Sequence, residues 1–181
     1  MANQYSYQVL KDETQYAVIK ITADFDGSGQ EDNLHRIQAN TLYGALATNG
    51  FPVANVWGGS ANTPLPYYGL TVNKIWYDTY GTNGTVQLYW SNTAFASANS
   101  GVPLLLLHGN GEYDASGSWI TIRNPSVGAN NNGDIGIYTK GQIANSSYTV
   151  ILELRKDNAY YQRGQFNDPA AFNYGAYSLK P

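Results

Sequence analysis

LTVNKIWYDTYGTNGTVQLYW, residues 70–90, sets two strand-like runs on either side of a turn that contains Asn83-Gly84. An Asn-Gly pair between such runs is a strong hairpin signal, because both residues tolerate the positive φ of a tight turn. The second run alternates with a period of two. Val86, Leu88 and Trp90 fall on one face and Gln87, Tyr89 and Ser91 on the other, as in a strand with one buried side. In the first run Leu70 and Val72 share a parity that Ile75 and Tyr77 do not. That mismatch requires either a β-bulge at Asn73 and Lys74 or burial on both faces. The expected hairpin holds Trp76 and Trp90, two of the four tryptophans, and is taken as the centre of the core.

The same period recurs outward from this stretch. Tyr5, Tyr7 and Val9 alternate with Ser6, Gln8 and Leu10 in a first strand that ends at Lys11-Asp12-Glu13. Ala17, Ile19, Ile21 and Ala23 mark the inner face of a second strand, expected to pair with the first. A weaker strand is expected from His35 to Asn40, with a single helical turn at Thr41 to Ala47. Past the hairpin, Val102 to Leu107 (VPLLLL) lacks alternation, which suits a strand covered on both faces or a subunit contact. Trp119 to Arg123 and Asp134 to Thr139 read as further strands. Ser147 to Lys156 is the clearest, with Tyr148, Val150, Leu152 and Leu154 inward and Thr149, Glu153 and Arg155 outward. About nine strands at this spacing, and no long helical period, predict an all-β fold: a jelly-roll or Greek-key β-sandwich with long loops.

Two stretches break the pattern. Asn49 to Tyr68 has three prolines, three glycines and no periodicity, so it reads as a long surface loop pinned by Trp57 or Phe51. The last 24 residues, Asn158 to Pro181, carry six aromatics and only three charges. Gly164, Pro169 and Gly175 interrupt any strand or helix there. The division expected is therefore a sandwich over residues 1–157 and an extended aromatic arm over 158–181. The arm's rings, Tyr160, Tyr161, Phe166, Phe172, Tyr174 and Tyr177, become candidates for binding a neighbouring subunit or another protein surface.

A chain of 181 residues can hide about 70% of its unfolded surface and needs no staples to build a core. It has no cysteine, which removes disulfides and thiolate metal sites. The N-terminal MANQYSYQVLKDE shows no signal-peptide pattern, and no apolar run is long enough to span a bilayer as a helix. Net charge is -3, charged residues are 13%, and no basic cluster exists, which argues against a nucleic-acid partner. Sixteen tyrosines and 19 glycines point instead to turns and to interface-like surfaces.

Motifs for chemistry are few. DFDGSG, from Asp24 to Gly29, matches the first six positions of an EF-hand loop, but His35 stands where the bidentate glutamate belongs. A solvated turn is the first reading, and a calcium site on Asp24, Asp26, Ser28 and Glu31 is the second. Glu112 and Asp114 share a face if extended, yet no second element supplies a glycosidase cleft, and they read as a surface turn. His35 and His108, the only histidines, lack both metal-ligand spacing and a serine elbow. Of the tryptophans, Trp57 in the long loop is the candidate for stacking on a glycan. No cofactor is expected.

YAVIKITADFDGSGQED, LTVNKIWYDTYGTNGTVQLYW, GNGEYD, GDIGIYTKG and SYTVILELRK, in that order across Tyr16 to Lys156, resemble a family of small virion structural proteins of tailed bacteriophages. The resemblance implies a non-enzymatic β-sandwich that acts as a capsid decoration or cement protein. Its partner would be the major capsid protein at the outer surface of the head. It also implies a homotrimer, assembled in the bacterial cytoplasm. The chain departs from the family pattern in its long Asn49 to Tyr68 loop and in continuing past the LELRK strand. The other function expected from the residues is a lectin-like module of a tail or baseplate that uses Trp57.

Overall fold

Alternation in SYTVILELRK builds the central strand. A computed structural model of the chain describes residues 3–29, 37–50, 52–53, 62–81, 84–91, 102–115, 122–123 and 132–162. Nine strands lie among them: β1 (Gln4–Asp12), β2 (Tyr16–Asp24), β3 (Leu70–Tyr80), β4 (Thr85–Ser91), β5 (Val102–Leu107), β6 (Asn110–Asp114), β7 (Ile122–Arg123), β8 (Asp134–Lys140) and β9 (Ser147–Lys156). They form two antiparallel sheets. The first runs in the order β1-β2-β9-β3-β6, with β7 also on β3, and the second runs β5-β4-β8.

The core follows from register. Ala17, Ile19, Ile21 and Ala23 on β2 stand opposite Leu154, Leu152, Val150 and Tyr148 on β9, and all eight are buried. On the second sheet Val86, Leu88 and Trp90 face Thr139, Ile137 and Ile135. These two buried faces join in one apolar cluster, so the sheets pack as the layers of a β-sandwich.

The parity mismatch in β3 is resolved by a bulge. The register against β9 shifts between Val72 and Lys74, so Val72 meets Leu154 and Ile75 meets Leu152. Three residues on β3 span two on β9, and both apolar side chains turn inward. Asn73, the extra residue, donates its side-chain N–H to Glu153 and accepts the Ala115 N–H with its carbonyl, at 2.7 Å.

The hairpin expected at Asn83-Gly84 does not form. β3 belongs to the first sheet and β4 to the second, and Gly81 to Gly84 carries the chain between them. Every strand edge at this crossing already has a partner: β9 and β6 with β7 flank β3, and β5 and β8 flank β4. A turn signal specifies a chain reversal, not which strands share hydrogen bonds. Gly81 has φ of +69°, and a Cβ there would sit 3.0 Å from the Asn145 carbonyl oxygen in the β8–β9 turn. The β5–β6, β7–β8 and β8–β9 connections also change sheet. At this end the Thr79 N–H donates to the Gly109 carbonyl at 2.7 Å, tying one crossing to another.

Other expectations are corrected locally. β5 is not covered on both faces: it pairs only with β4 among the described residues, and of its six residues only Leu107 is buried. Pro103, which lacks an N–H, is accommodated at such an edge. Of the strand expected from His35 to Asn40, the described part holds an isolated bridge from Ile37 to Ile135 and the start of a single 3-10 turn, Ala39–Thr41; His35 and Arg36 lie outside the described residues. Glu112 and Asp114 lie in strand β6, Asn110–Asp114, rather than in a turn. Part of the long Asn49 to Tyr68 stretch is interior. Tyr68 is buried, donates its hydroxyl to the Leu46 carbonyl at 2.6 Å and accepts the Leu65 N–H at 3.0 Å.

Candidate functional site

At the end of β9 the inward parity of Tyr148, Val150, Leu152 and Leu154 continues to Lys156, which places an ammonium on the core side. Its side chain is wholly buried. Lys156 Nζ donates to the Asp12 carboxylate, to the Glu13 carbonyl and to the Tyr43 carbonyl, the last at 2.9 Å. Tyr43 and Tyr161 also present their rings, with centroids 5.9 and 5.4 Å from the nitrogen. Burial pushes the ammonium below its ordinary pKa, and the Asp12 bond opposes that shift. All three donors are used, so the group works as a clamp. It joins the β1–β2 turn, the segment at Tyr43 and β9.

The first rings of the expected arm belong to this region of the fold. Tyr161 is 1% exposed, donates its hydroxyl to the Ala39 carbonyl at 2.9 Å and packs against Tyr68, with centroids 5.5 Å apart. Burial raises its phenol pKa well above the usual value. Tyr160 packs edge-on against Tyr67 at 5.2 Å. The backbone is fastened as well: Leu46 N–H donates to the Tyr160 carbonyl at 3.0 Å, and Gln162 N–H donates to the Gly44 carbonyl at 2.7 Å. Tyr161 is thus committed to the chain's own core, and a partner contact through it would require unpacking. Phe166, Phe172, Tyr174 and Tyr177, like Trp57, lie outside the described residues.

In the Asp24 to Gly29 loop the Asp26 carboxylate accepts the Ser28 N–H at 2.8 Å, while Asn3 Oδ1 accepts the Asp26 N–H at 3.0 Å. Hydrogen bonds from the Ser28 side chain and backbone hold the Asp26 carboxyl below its ordinary pKa. Asp24 ends β2 in register with Gln4 and Ser147. Among the described residues no group of three or more metal-ligating side chains is gathered. Asp114 pairs with Lys74 across the β3–β6 register at 3.0 Å, and Glu112 lies opposite Trp76. His108 follows β5, with Nδ1 3.3 Å from the Gly84 carbonyl.

The prominent surface features are two strand edges. Among the described residues, β1 pairs only with β2 and β5 only with β4, so each sheet ends in an unpaired edge. β1 is nine residues long and leaves Tyr7 40%, Val9 49% and Leu10 54% exposed. Leu10 is the extra residue at a bulge between Val9 and Lys11. β5 exposes Val102 at 39% and Leu106 at 60%. Unpaired N–H and C=O groups beside apolar side chains are a template for another chain. Alternation in β1 gave no sign of this exposure, because its inward parity is shared with true core strands. Among the described residues the second sheet has three strands against the five of the first sheet's path, and Tyr7 and Val9, of inward parity on β1, are left half-exposed.

Compared with known proteins, the chain matches no family model, no curated protein and no solved structure.

Proposed function

We propose that the chain is a non-enzymatic structural protein that acts by lateral association: a virion protein of a tailed phage that decorates the outer surface of the head and cements neighbouring coat subunits. The observation that carries this reading is the pair of open edges, β1 and β5, each a terminal strand of its sheet among the described residues and each bearing exposed apolar side chains. A monomer meant to stay alone normally blunts such edges with charge, proline or a covering loop. β1 carries one lysine, Lys11, and a bulge at Leu10, and β5 carries one proline, Pro103, yet Tyr7, Val9, Leu10, Val102 and Leu106 stay exposed along them. The partners proposed are the major capsid protein and further copies of this chain in a homotrimer. The virion sequence resemblance supports the same class. We further infer a Greek-key or jelly-roll connectivity, supported by the insertion of β9 between β2 and β3 and by the repeated crossings between sheets.

The test is to add the purified protein to capsids that lack it and reconstruct the particles. Density for the sandwich on the outer surface, seated between coat subunits, is expected. Capsids that take up none of it, under conditions where they are intact and expanded, would remove this reading.

A further inference from the structure

On the outer face of the first sheet, near the end of β9, the strand register lines up a row of polar side chains. Tyr16 on β2 stands opposite Arg155 on β9, Arg155 opposite Thr71 on β3, and Thr71 opposite Arg123 on β7. The neighbours Ala17, Leu154 and Val72 point into the core, so this row has the outward parity. Directly opposed side chains in antiparallel strands have Cβ atoms about 5 Å apart, which makes the row a continuous strip. With Gln15 and Asn158 at its rim it lines a groove of about 380 Å³. That volume lies within the range of small-ligand sites.

The two guanidiniums of the strip are not equivalent. Arg123 is ion-paired with Asp157. Asp157 is itself fixed: it accepts the Ala159 N–H at 3.0 Å and donates its own N–H to the Gly69 carbonyl at 3.0 Å. A side chain at Gly69 would come within 2.8 Å of the Asp157 Cβ, so glycine is needed for that approach. Arg155 makes no ion pair among the described residues. It stands between a half-buried tyrosine and a buried threonine, where a planar fork of donors is suited to taking a carboxylate on two bonds. The groove is also lined by Asp157, Gln15, Asn158 and Tyr16, residue types that supply acceptors, donors and an aromatic ring. A ligand with one carboxylate and several hydroxyls on a rigid ring satisfies both kinds of group. An acidic peptide brings several carboxylates beside Asp157, where an acidic saccharide brings one with many hydroxyl donors.

We propose that this groove binds an acidic saccharide, a uronate- or sialate-type ring whose carboxylate is taken by Arg155 and whose hydroxyls are taken by Asp157, Gln15 and Asn158. The proposal does not depend on lateral association through β1 and β5, which lie at other edges of the two sheets. The test is calorimetric titration of the full chain with a glucuronate disaccharide, with sialic acid, with the neutral glucose disaccharide and with a short acetylated glutamate peptide. At least one of the two acidic sugars is expected to bind saturably, with the neutral sugar weaker by about tenfold or more, and Arg155→Gln is expected to lose about tenfold or more with its melting temperature unchanged. Arg155→Lys, which keeps the charge but not the fork, is expected to fall between. Absence of saturable binding by both acidic sugars, equal binding of the neutral sugar, or undiminished binding by Arg155→Gln would overturn the proposal. Tighter binding of the glutamate peptide would overturn it in favour of a protein partner.

Discussion

Lys156 and Tyr161 show how single residues hold the end of the sandwich. Replacing Lys156 with alanine leaves the Asp12 carboxylate in a largely enclosed position without its cation, a change expected to cost about 3 kcal/mol or more in urea denaturation. The double variant Lys156→Met with Asp12→Asn is expected to recover much of that, because the cost lies in the unpaired charge. A pH prediction follows from the tyrosines. The folded-state phenol pKa of Tyr161 is raised by burial, and those of Tyr68, Tyr67, Tyr89 and Tyr7 are also raised. Above the unfolded value of about 10 the unfolded chain gives up phenol protons that the folded chain keeps, so their stabilisation is full below pH 10 and is lost as pH rises past it. Lys156, lowered from its ordinary 10.5, acts oppositely and adds stability as pH approaches that value. Thermal melts from pH 8 to 11 should therefore fall more steeply above pH 10 for the wild type than for Tyr161→Phe; equal slopes would show that Tyr161 ionises as freely folded as unfolded. The position of Lys156 was legible in the parity of SYTVILELRK, which runs inward through Leu154 to residue 156. Its partners were not, because Asp12 and Tyr43 are brought to it by contacts 144 and 113 residues apart in sequence.

At the scale of the element, alternation was a reliable guide to which side chains are buried and a poor one to which strands pair. β2, β8 and β9 carry the inward residues that their period assigns, and the β3 bulge was visible as a mismatch between Val72 and Ile75. That β3 and β4 do not pair was not recoverable, since an Asn-Gly pair signals a turn and the partner is chosen by the packing of two layers. Gly81→Ala combines a left-handed φ with a contact on the Asn145 carbonyl, and is expected to destabilise by about 1–3 kcal/mol in chemical denaturation. An unchanged midpoint would mean that the crossing relaxes without cost. The edges call for the opposite kind of substitution. Val9→Lys on β1 changes a half-exposed side chain, so folding stability is expected to stay within about 0.5 kcal/mol of wild type. Association through that edge should weaken strongly, as measured by sedimentation velocity.

At the scale of the whole molecule, the sandwich extends past its last strand. The aromatic count near the C-terminus was legible as a need for burial, but the sequence placed the boundary of the segment at Asn158, before the two rings that Tyr67, Tyr68 and Ala39 receive. A chain ending at Gln162 is expected to fold and to melt near the full-length value. One ending at Lys156 loses the buried Tyr161, a deletion of the class that costs about 3–5 kcal/mol, and is expected to unfold at a markedly lower urea concentration. Equal stability of the two truncations would mean that Tyr161 contributes no packing. Lateral association joins these scales: a stable, internally tied sandwich leaves its sheet edges as the surfaces available to neighbours. The most direct measurement is light scattering on the full chain at micromolar concentration, beside the double edge variant Val9→Lys with Leu106→Lys. The expected result is a trimer for the wild type and a folded monomer for the variant; a wild type that remains monomeric across the concentration range, or a variant that assembles as well as the wild type, would contradict assembly through the open edges.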